Sequence, residues 1–427
     1  MTEIGVGIVG MGTVGEGACG ILTRNVESIA RQAGCQVRLA CVADLRRDEL
    51  RSRVPAEVRF VEDAAELIRS PDVQIVCELI GGTRAAGEVV RQAMAAGKHV
   101  VTANKELLAK HGPELLSLAD QQGVDFYFEA SVGGGIPIIS PLRIGLAGNR
   151  IQKIVGIVNG TTNYILTQMA AEGGDLADVL KEAQQLGYAE ADPTNDVEGY
   201  DARYKLTILA TLGFHACVDV DDIYCEGIMK LQSRDVDYAR ELGYEVKLLA
   251  IAKRVDGGLE ARVHPALVPF SHPLAAVAGV NNAIFVTGDA VGDVMFYGPG
   301  AGSLAAGSAV VGDVIEIARN IRCGATGRLK PIEFRDLDLV STGESVARYY
   351  VRMLVKDASG VLAAIATEFG LHNVSIASLV QKDASEGVAE IIFLTHEVKE
   401  RGMRAALECI EGLSVVEQVC SMIRVEE

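Results

Sequence analysis

Four groups of residues in this chain have types and spacings that suit chemistry. The first is Gly10-Met11-Gly12-Thr13-Val14-Gly15, which follows an apolar run from Ile4 to Val9 and opens a helical pattern. In a strand–turn–helix setting the first glycine allows a tight turn and the second lets backbone approach a pyrophosphate. The third lets helix and strand pack closely. The helix N-terminus adds N–H groups and partial positive charge. The residues predict a dinucleotide site at Gly10, Gly12, Thr13, Val14 and Gly15, against the plainer alternative of a glycine-rich turn. Asp44 closes the second strand, where an acid bonds a ribose 2′-hydroxyl and favours NAD. Arg46 and Arg47 follow, and arginines there hold the 2′-phosphate of NADP. The two signals conflict, so the choice between NAD and NADP stays open.

The second group, Thr102-Ala103-Asn104-Lys105, stands at the carboxyl end of a strand, the edge where such sheets bind ligands. Lys105 is predicted to face cofactor or substrate; the alternative is a surface lysine in a helix's first turn. The third, Glu190 to Glu198, holds four carboxylates and reads either as a solvated acidic loop or as a pocket for a substrate ammonium. The fourth is Asp201 and Lys205, four apart on a predicted helix and so on one face. As a surface pair they would contribute about 0.3–0.5 kcal/mol. The apolar run Leu206-Thr207-Ile208-Leu209-Ala210 argues that this helix is buried, and a buried lysine needs a partner or a job.

The elements that must position these groups follow from periodicity. Apolar runs at Ile4–Val9, Val37–Val42, Val73–Leu79, His99–Thr102 and Val124–Phe128 alternate with helical patterns from Thr13, over Ala85–Ala96 and from Lys105. That alternation predicts an α/β fold with a Rossmann-type doubly wound parallel sheet over residues 1–130. Residues 131–321 read as an α+β domain. Within it we expect a strand at Ile151–Val158, helices from Thr161, Asp175 and near Asp201, and a closing helix at Val314–Ile321. Residues 322–346 read as a linker. From 347 to 427 the order β-α-β-β-α-β emerges: Tyr349–Val355, Gly360–Phe369, Val374–Gln381, Ala389–Thr395, Val398–Ile410 and Val415–Ile423. This is a ferredoxin-like arrangement.

Bulk properties narrow the function. The net charge of −17 repels phosphate backbones and anionic lipid, so neither nucleic acid nor membrane is an expected partner. No apolar stretch reaches the ~18–20 residues of a membrane span. Met1-Thr2-Glu3 lacks a basic leader, and a cytoplasmic location is expected. The 9 cysteines show no Cys-x-x-Cys pair and read as small buried hydrophobes in a reducing compartment.

Several stretches together resemble one family. Gly10–Gly15, Thr102–Lys105, Glu129–Pro137, Val158-Asn159-Gly160-Thr161-Thr162-Asn163-Tyr164, Leu186-Gly187-Tyr188-Ala189-Glu190-Ala191-Asp192-Pro193 and Glu198–Lys205 are similar, in that order, to homoserine dehydrogenase. The resemblance is to the long bacterial form without a kinase module. Val355 to Ala366 and Asn373-Val374-Ser375-Ile376 resemble an ACT domain. The resemblance implies NAD(P)H-dependent conversion of L-aspartate 4-semialdehyde to L-homoserine, on the route to threonine, methionine and isoleucine. It implies Lys205 as proton donor, Asp201 as its partner and a substrate contact, and Lys105 beside nicotinamide and substrate. Glu190 and Asp196 would bind the substrate, while Gly187 and Gly302 would line the cleft. It further implies a sodium ion at Glu129, Val132, Gly134 and Ile136, held largely by backbone oxygens. In the ACT domain, Asp357 and Gly360, with Asn373 nearby, would bind L-threonine where two such domains pair, so a homodimer or homotetramer is expected. Two rivals remain at this stage. One is a non-catalytic nucleotide- and amino-acid-binding regulator; the other is a dehydrogenase for a different amino acid or its semialdehyde.

Overall fold

The computed structural model describes residues 3–328, 334, 337–382 and 387–427. It divides into two compact units: residues 1–154, 204–222 and 282–337, and residues 155–203, 223–281 and 338–427.

The first unit is built on six strands: β1 (Glu3–Val9), β2 (Gln36–Ala43), β3 (Arg59–Val61), β4 (Ile75–Glu78), β5 (His99–Thr102) and β6 (Phe126–Tyr127). They run in the order β3-β2-β1-β4-β5-β6 and every pairing is parallel. The order reverses direction at β1, which opens a crevice between the loops after β1 and β4. Register aligns Val9 with Ala43 and with Glu78, and Glu78 with Thr102. Four loops therefore leave the sheet along one edge, carrying Gly10–Gly12, Asp44, Ile80 and Asn104. The short β3 was not expected, because its three residues are too few to show a period.

The predicted closing helix proves much longer, Ser303–Cys323. Within this helix Gly307 serves close packing. A Cβ at Gly307 would lie 2.6 Å from the Gly17 carbonyl carbon, and one at Gly17 would lie 1.9 Å from the Ser303 carbonyl oxygen. Val310, Val314 and Ile317 of this helix join Ile8, Ala18 and Val42 in the core of the sheet. Also in this unit, β11 (Asn281–Gly288) pairs with β12 (Gly292–Pro299) as a short-looped hairpin.

The second unit contains the last three residues of β7 (Ile151–Ile157), then β8 (Tyr224–Cys225), β9 (Tyr244–Val255) and β10 (Gly258–Pro269). The C-terminal strands are β13 (Val346–Lys356), β14 (Ile376–Gln381), β15 (Val388–Thr395), β16 (Val398–Lys399) and β17 (Val416–Val425). They run β17-β13-β15-β14, all antiparallel. Helices Val361–Leu371 and Glu400–Glu411 cover one face through Val351, Met353, Ile365, Phe369, Met403 and Ile410. Val398 and Lys399 pair with β13 rather than starting the helix, as suits a β-branched residue. The outer edge of β17 pairs in parallel with β10, so this sheet continues into the β9–β10 hairpin.

The opposite face of the C-terminal sheet carries charge. Arg352 donates to both oxygens of Asp235, at 2.6 and 3.3 Å, and to Glu390 at 2.9 Å. Asp235 sits in the first turn of helix Ser233–Glu241 and is fully buried, as is Arg352. Of the expected linker, residues 329–333, 335 and 336 lie outside the described residues. Leu339 forms a bridge to Leu259, so this part of the segment is bound to β10.

The cysteines are all free thiols. Cys19, Cys35, Cys41 and Cys77 are buried as expected, whereas Cys217, Cys323 and Cys409 are exposed. Burial tracks the sheet: the first four lie in or against β1, β2 and β4, and the exposed three lie outside it. Among the described residues no helix is long and apolar enough to cross a membrane.

Candidate active site

The dinucleotide motif folds as its glycines require. Gly10 has φ +99°, closed to side chains, and a Cβ there would meet the Leu79 carbonyl at 2.8 Å. A Cβ at Gly15 would lie 2.0 Å from the Gly10 carbonyl oxygen. At Gly12 a Cβ would meet no protein atom within 4 Å, so its bare backbone faces open space. Thr13 and Val14 begin helix Thr13–Arg24, whose N-cap is Gly12. A cavity of about 780 Å³ opens here, lined by Gly10, Gly12, Asp44, Arg46, Ile80 and Gly81. These features fit a bound dinucleotide: a bare helix N-terminus, a close-approach glycine and a polar group at the tip of β2.

Asp44 and Arg46 are one structure rather than two competing signals. The Asp44 carboxylate accepts from the Met11 amide at 2.8 Å, and from the Arg46 amide at 2.9 Å and its guanidinium at 3.1 Å. Burial pushes the Asp44 carboxyl up, but the hydrogen bonds from Arg46 and Met11 outweigh it and hold it below the usual range. Arg46 is half exposed at the cavity rim.

Sequence reasoning missed Glu78, at the end of β4. It is fully buried and accepts from Thr102 Oγ1 at 2.6 Å and from the Ile80 amide at 2.8 Å. Burial pushes its carboxyl up to about 7 despite these bonds. Hydrophobic β-runs give no hint that an acid inside one is buried. Asn104 caps helix Lys105–Gln122 by accepting from the Leu107 amide, and donates to the Gly82 carbonyl at 2.7 Å. This fixes Lys105 in the helix's first turn, at the sheet edge. Lys110, on the same helix, lies 5.7 Å from the centre of the Tyr204 ring, which precedes Lys205. Lys205 itself is buried. Gly302 is the N-cap of helix Ser303–Cys323, with φ +119°, and that helix packs against the dinucleotide helix.

In the second unit the acidic run resolves into separate roles. Asp192 accepts from the Thr194 amide and hydroxyl and shapes the turn. Glu190 is exposed, on a loop held by Gln184 at the Glu190 and Ala191 carbonyls. Asp196 and Asp201 converge instead. Asn159 Nδ2 donates to Asp196 Oδ1 at 2.7 Å and to Asp201 Oδ2 at 2.9 Å. The other end of the same amide caps helix Gly160–Glu172, accepting from the Thr162 amide and hydroxyl at 2.9 Å each. Asn159 was given no role of its own, although an asparagine before Gly160-Thr161-Thr162 is a legible N-cap signal. Gly187 has φ +76° and starts the turn whose next residue, Tyr188, accepts from Thr161 Oγ1 at 2.7 Å. Asp201 and Lys205 both lie on helix Tyr200–Phe214, Asp201 in its first turn.

At the expected sodium loop, the Glu129 carboxylate accepts from the amides of Ile138, Ile139 and Ser140 at 2.6, 2.7 and 2.8 Å. Its charge is thus met by N–H dipoles, and a cation would have to draw on carbonyl oxygens. Gly133 and Gly134 both have positive φ, and buried Val132 and Ile136 anchor the turn. Backbone carbonyl oxygens are the ligand type a hard cation takes.

The three expected effector residues do not all meet. Gly360, with φ +90°, is the N-cap of helix Val361–Leu371, and Asp357 lies on the loop before it. Asn373, with φ +59°, follows the far end of that 11-residue helix, about 16 Å away at 1.5 Å per residue. A further cleft, of about 580 Å³, is lined by Arg404 and Leu407 of helix Glu400–Glu411 and by Glu198, Tyr200, Glu226 and Met229. Its floor is tied to the loop before Asp201, since the Ile228 amide donates to the Val197 carbonyl at 2.8 Å.

The chain is similar to known proteins of one family. The profile of the homoserine dehydrogenase NAD-binding domain matches residues 10–129, that of homoserine dehydrogenase matches 137–315, and that of the ACT domain matches 349–415. The homoserine dehydrogenase of Neisseria gonorrhoeae is 46% identical over 432 residues, covering 100% of this chain and 99% of that protein. That of Bacillus subtilis is 42% identical over 430 residues, covering 100% and 99%. The crystal structure of a homoserine dehydrogenase from Thiobacillus denitrificans superposes with a TM-score of 0.95 at 43% identity, covering 100% of this chain and 99% of that one. A hyperthermophilic archaeal homoserine dehydrogenase mutant in complex with NADPH gives 0.64 at 27% identity, covering 74% of this chain and 98% of that one. The chain belongs to the homoserine dehydrogenase family of oxidoreductases, with that family's NAD-binding domain at its start and an ACT domain at its end.

Proposed function

We propose that the protein reduces L-aspartate 4-semialdehyde to L-homoserine, reversibly, in the biosynthesis of threonine, methionine and isoleucine. The observation that carries this reading is the Asn159 amide drawing Asp196 and Asp201 together. Two carboxylates at one spot make a receptor for the ammonium of an amino-acid substrate. A bound NADH or NADPH supplies the hydride; the family relative held with NADPH supports the phosphorylated cofactor as one candidate. Lys205 stabilises the charge that grows on the aldehyde oxygen and delivers the proton. Asp201, one helical turn earlier, favours the charged lysine. Lys105 orients nicotinamide and substrate, with Glu190 and Gly187 closing around the substrate and Gly302 lining the cofactor side. Glu129, Val132, Gly134 and Ile136 would hold a sodium ion, largely through backbone oxygens, and such an ion would steady the loop.

L-Threonine inhibits through the ACT domain in this reading. Asp357 and Gly360 at one helix end and Asn373 at the other would form complete sites only when two domains pair, which fits a homodimer or homotetramer. The domain order is nucleotide-binding, 1–130; catalytic, 131–321; linker, 322–346; and regulatory, 347–427.

The test is NADH or NADPH consumption with L-aspartate 4-semialdehyde, with and without threonine, for the wild type and Lys205→Ala. Turnover by the wild type, reduced about 10²–10⁴-fold in the variant with cofactor binding intact, is the expected result. Equal turnover by the variant removes Lys205 from the chemistry, and no turnover by a folded, cofactor-binding wild type overturns the substrate.

A further inference from the structure

The two helices of the C-terminal domain bring together Glu368, His372 and Cys409, with one ligand atom from each within 4.8 Å of the others. None of these residues belongs to the site described above. Glu368 and His372 are four apart, on one face at the end of helix Val361–Leu371. Cys409 comes from helix Glu400–Glu411. Gly402 permits the close approach of the two, since a Cβ there would lie 3.2 Å from the His372 carbonyl oxygen.

The imidazole is already turned for metal. His372 Nδ1 lies 3.0 Å from the Glu368 carbonyl oxygen. A carbonyl only accepts, so Nδ1 carries the proton and Nε2 presents its lone pair. Metal-binding histidines are oriented by this same outer hydrogen bond. Nε2 lies 3.8 Å from Cys409 Sγ. Zinc bonds of about 2.3 Å to sulfur and 2.0–2.1 Å to nitrogen, at a tetrahedral angle, separate the two ligand atoms by about 3.6 Å. Glu368 and His372 are half-buried and Cys409 is exposed, so an ion can reach the site and keep a water as its fourth ligand.

We propose that Glu368, His372 and Cys409 form a binding site for one divalent ion of the zinc class, which clamps the two ACT-domain helices together. Ion binding displaces the thiol proton, leaving a thiolate–metal bond. The competing arrangement is a thiol hydrogen bond from Cys409 to His372 with no metal affinity.

The experiment uses the full-length chain, reduced and stripped with chelator, then titrated with Co²⁺ and followed by visible and near-ultraviolet absorption. One equivalent should give tetrahedral cobalt bands with a thiolate charge-transfer band, and Zn²⁺ should bleach both. Cys409→Ser should abolish the charge-transfer band, and His372→Ala should weaken binding at least about tenfold. Zn²⁺ should raise the melting temperature of the wild type and of Cys217→Ser and Cys323→Ser, but not of Cys409→Ser. Circular dichroism checks that each variant is folded. Absence of a charge-transfer band, or a band that survives Cys409→Ser or is lost in Cys217→Ser, overturns the site.

Discussion

The side-chain amide of Asn159 holds Asp196 and Asp201 at 2.7 and 2.9 Å, while its oxygen caps the helix that follows. One residue thus does two separable things, and two substitutions separate them. Asn159→Ser keeps a capping oxygen and loses the bridge; Asn159→Ala loses both. We expect kcat/KM to fall at least about 100-fold in each, through two carboxylates left to repel. Only the alanine variant should also lose the cap's roughly 0.5–2 kcal/mol of stability. Steady-state kinetics beside denaturant melts read both. A serine variant with wild-type kcat/KM would make the bridge irrelevant to catalysis.

Gly12 and Gly15 should fail differently. Gly15→Ala drives a Cβ against the Gly10 carbonyl and should destabilise the first unit, visible as a lower melting temperature. Gly12→Ala meets no protein atom and should melt like the wild type, yet bind NADH and NADPH at least about tenfold more weakly, because only the cofactor would meet the new methyl. Undiminished nucleotide binding by Gly12→Ala in a fluorescence titration would place the cofactor elsewhere.

Glu78 makes the first unit sensitive to pH. Burial raises its carboxyl from 4.5 to about 7, so the folded chain holds this proton more tightly than the unfolded one. Its stabilising contribution is complete below pH 4.5 and is lost as pH rises to about 7. The loss is of order 3 kcal/mol. Glu78→Gln keeps the shape without the titration. Urea melts from pH 5 to 8 should show the variant gaining on the wild type as pH rises; parallel profiles would show that Glu78 titrates normally.

Asp235 and Arg352 should be costly to separate. Asp235→Ala leaves a buried guanidinium with half its partners, a loss of about 3–5 kcal/mol. Ser421 Oγ also donates to Asp235, at 2.6 Å, and would lose that acceptor. Thermal melting of the full chain measures this. A shift below about 2 °C would mean that water replaces the carboxylate at no cost.

The parts of the site legible in the residues were those whose physics is local. Gly10, Gly12 and Gly15 announce themselves because a missing Cβ matters within one turn. Asn104 and Asn159 precede helices because their short amides cap. The βαββαβ order at the C-terminus was readable from periodicity. Glu78, Asp235, Arg352 and Glu390 were not legible, since a charged residue alone reads as solvated. The role of Gly307 was hidden for the same reason: nothing nearby in sequence reveals Gly17.

By itself the sequence determined the alternation of strands and helices, the phosphate-binding turn and the candidate lysines and carboxylates. Each depends on sterics or hydrogen bonds acting over a few residues. Only the tertiary structure decided which of them meet. Asn159 reaches Asp201 across 42 positions, and Asp235 reaches Arg352 across 117. Asn373 is carried to the opposite helix end from Gly360. Such pairings are chosen by packing whole elements, where burial of apolar surface sets the position and the polar groups must then find partners within it.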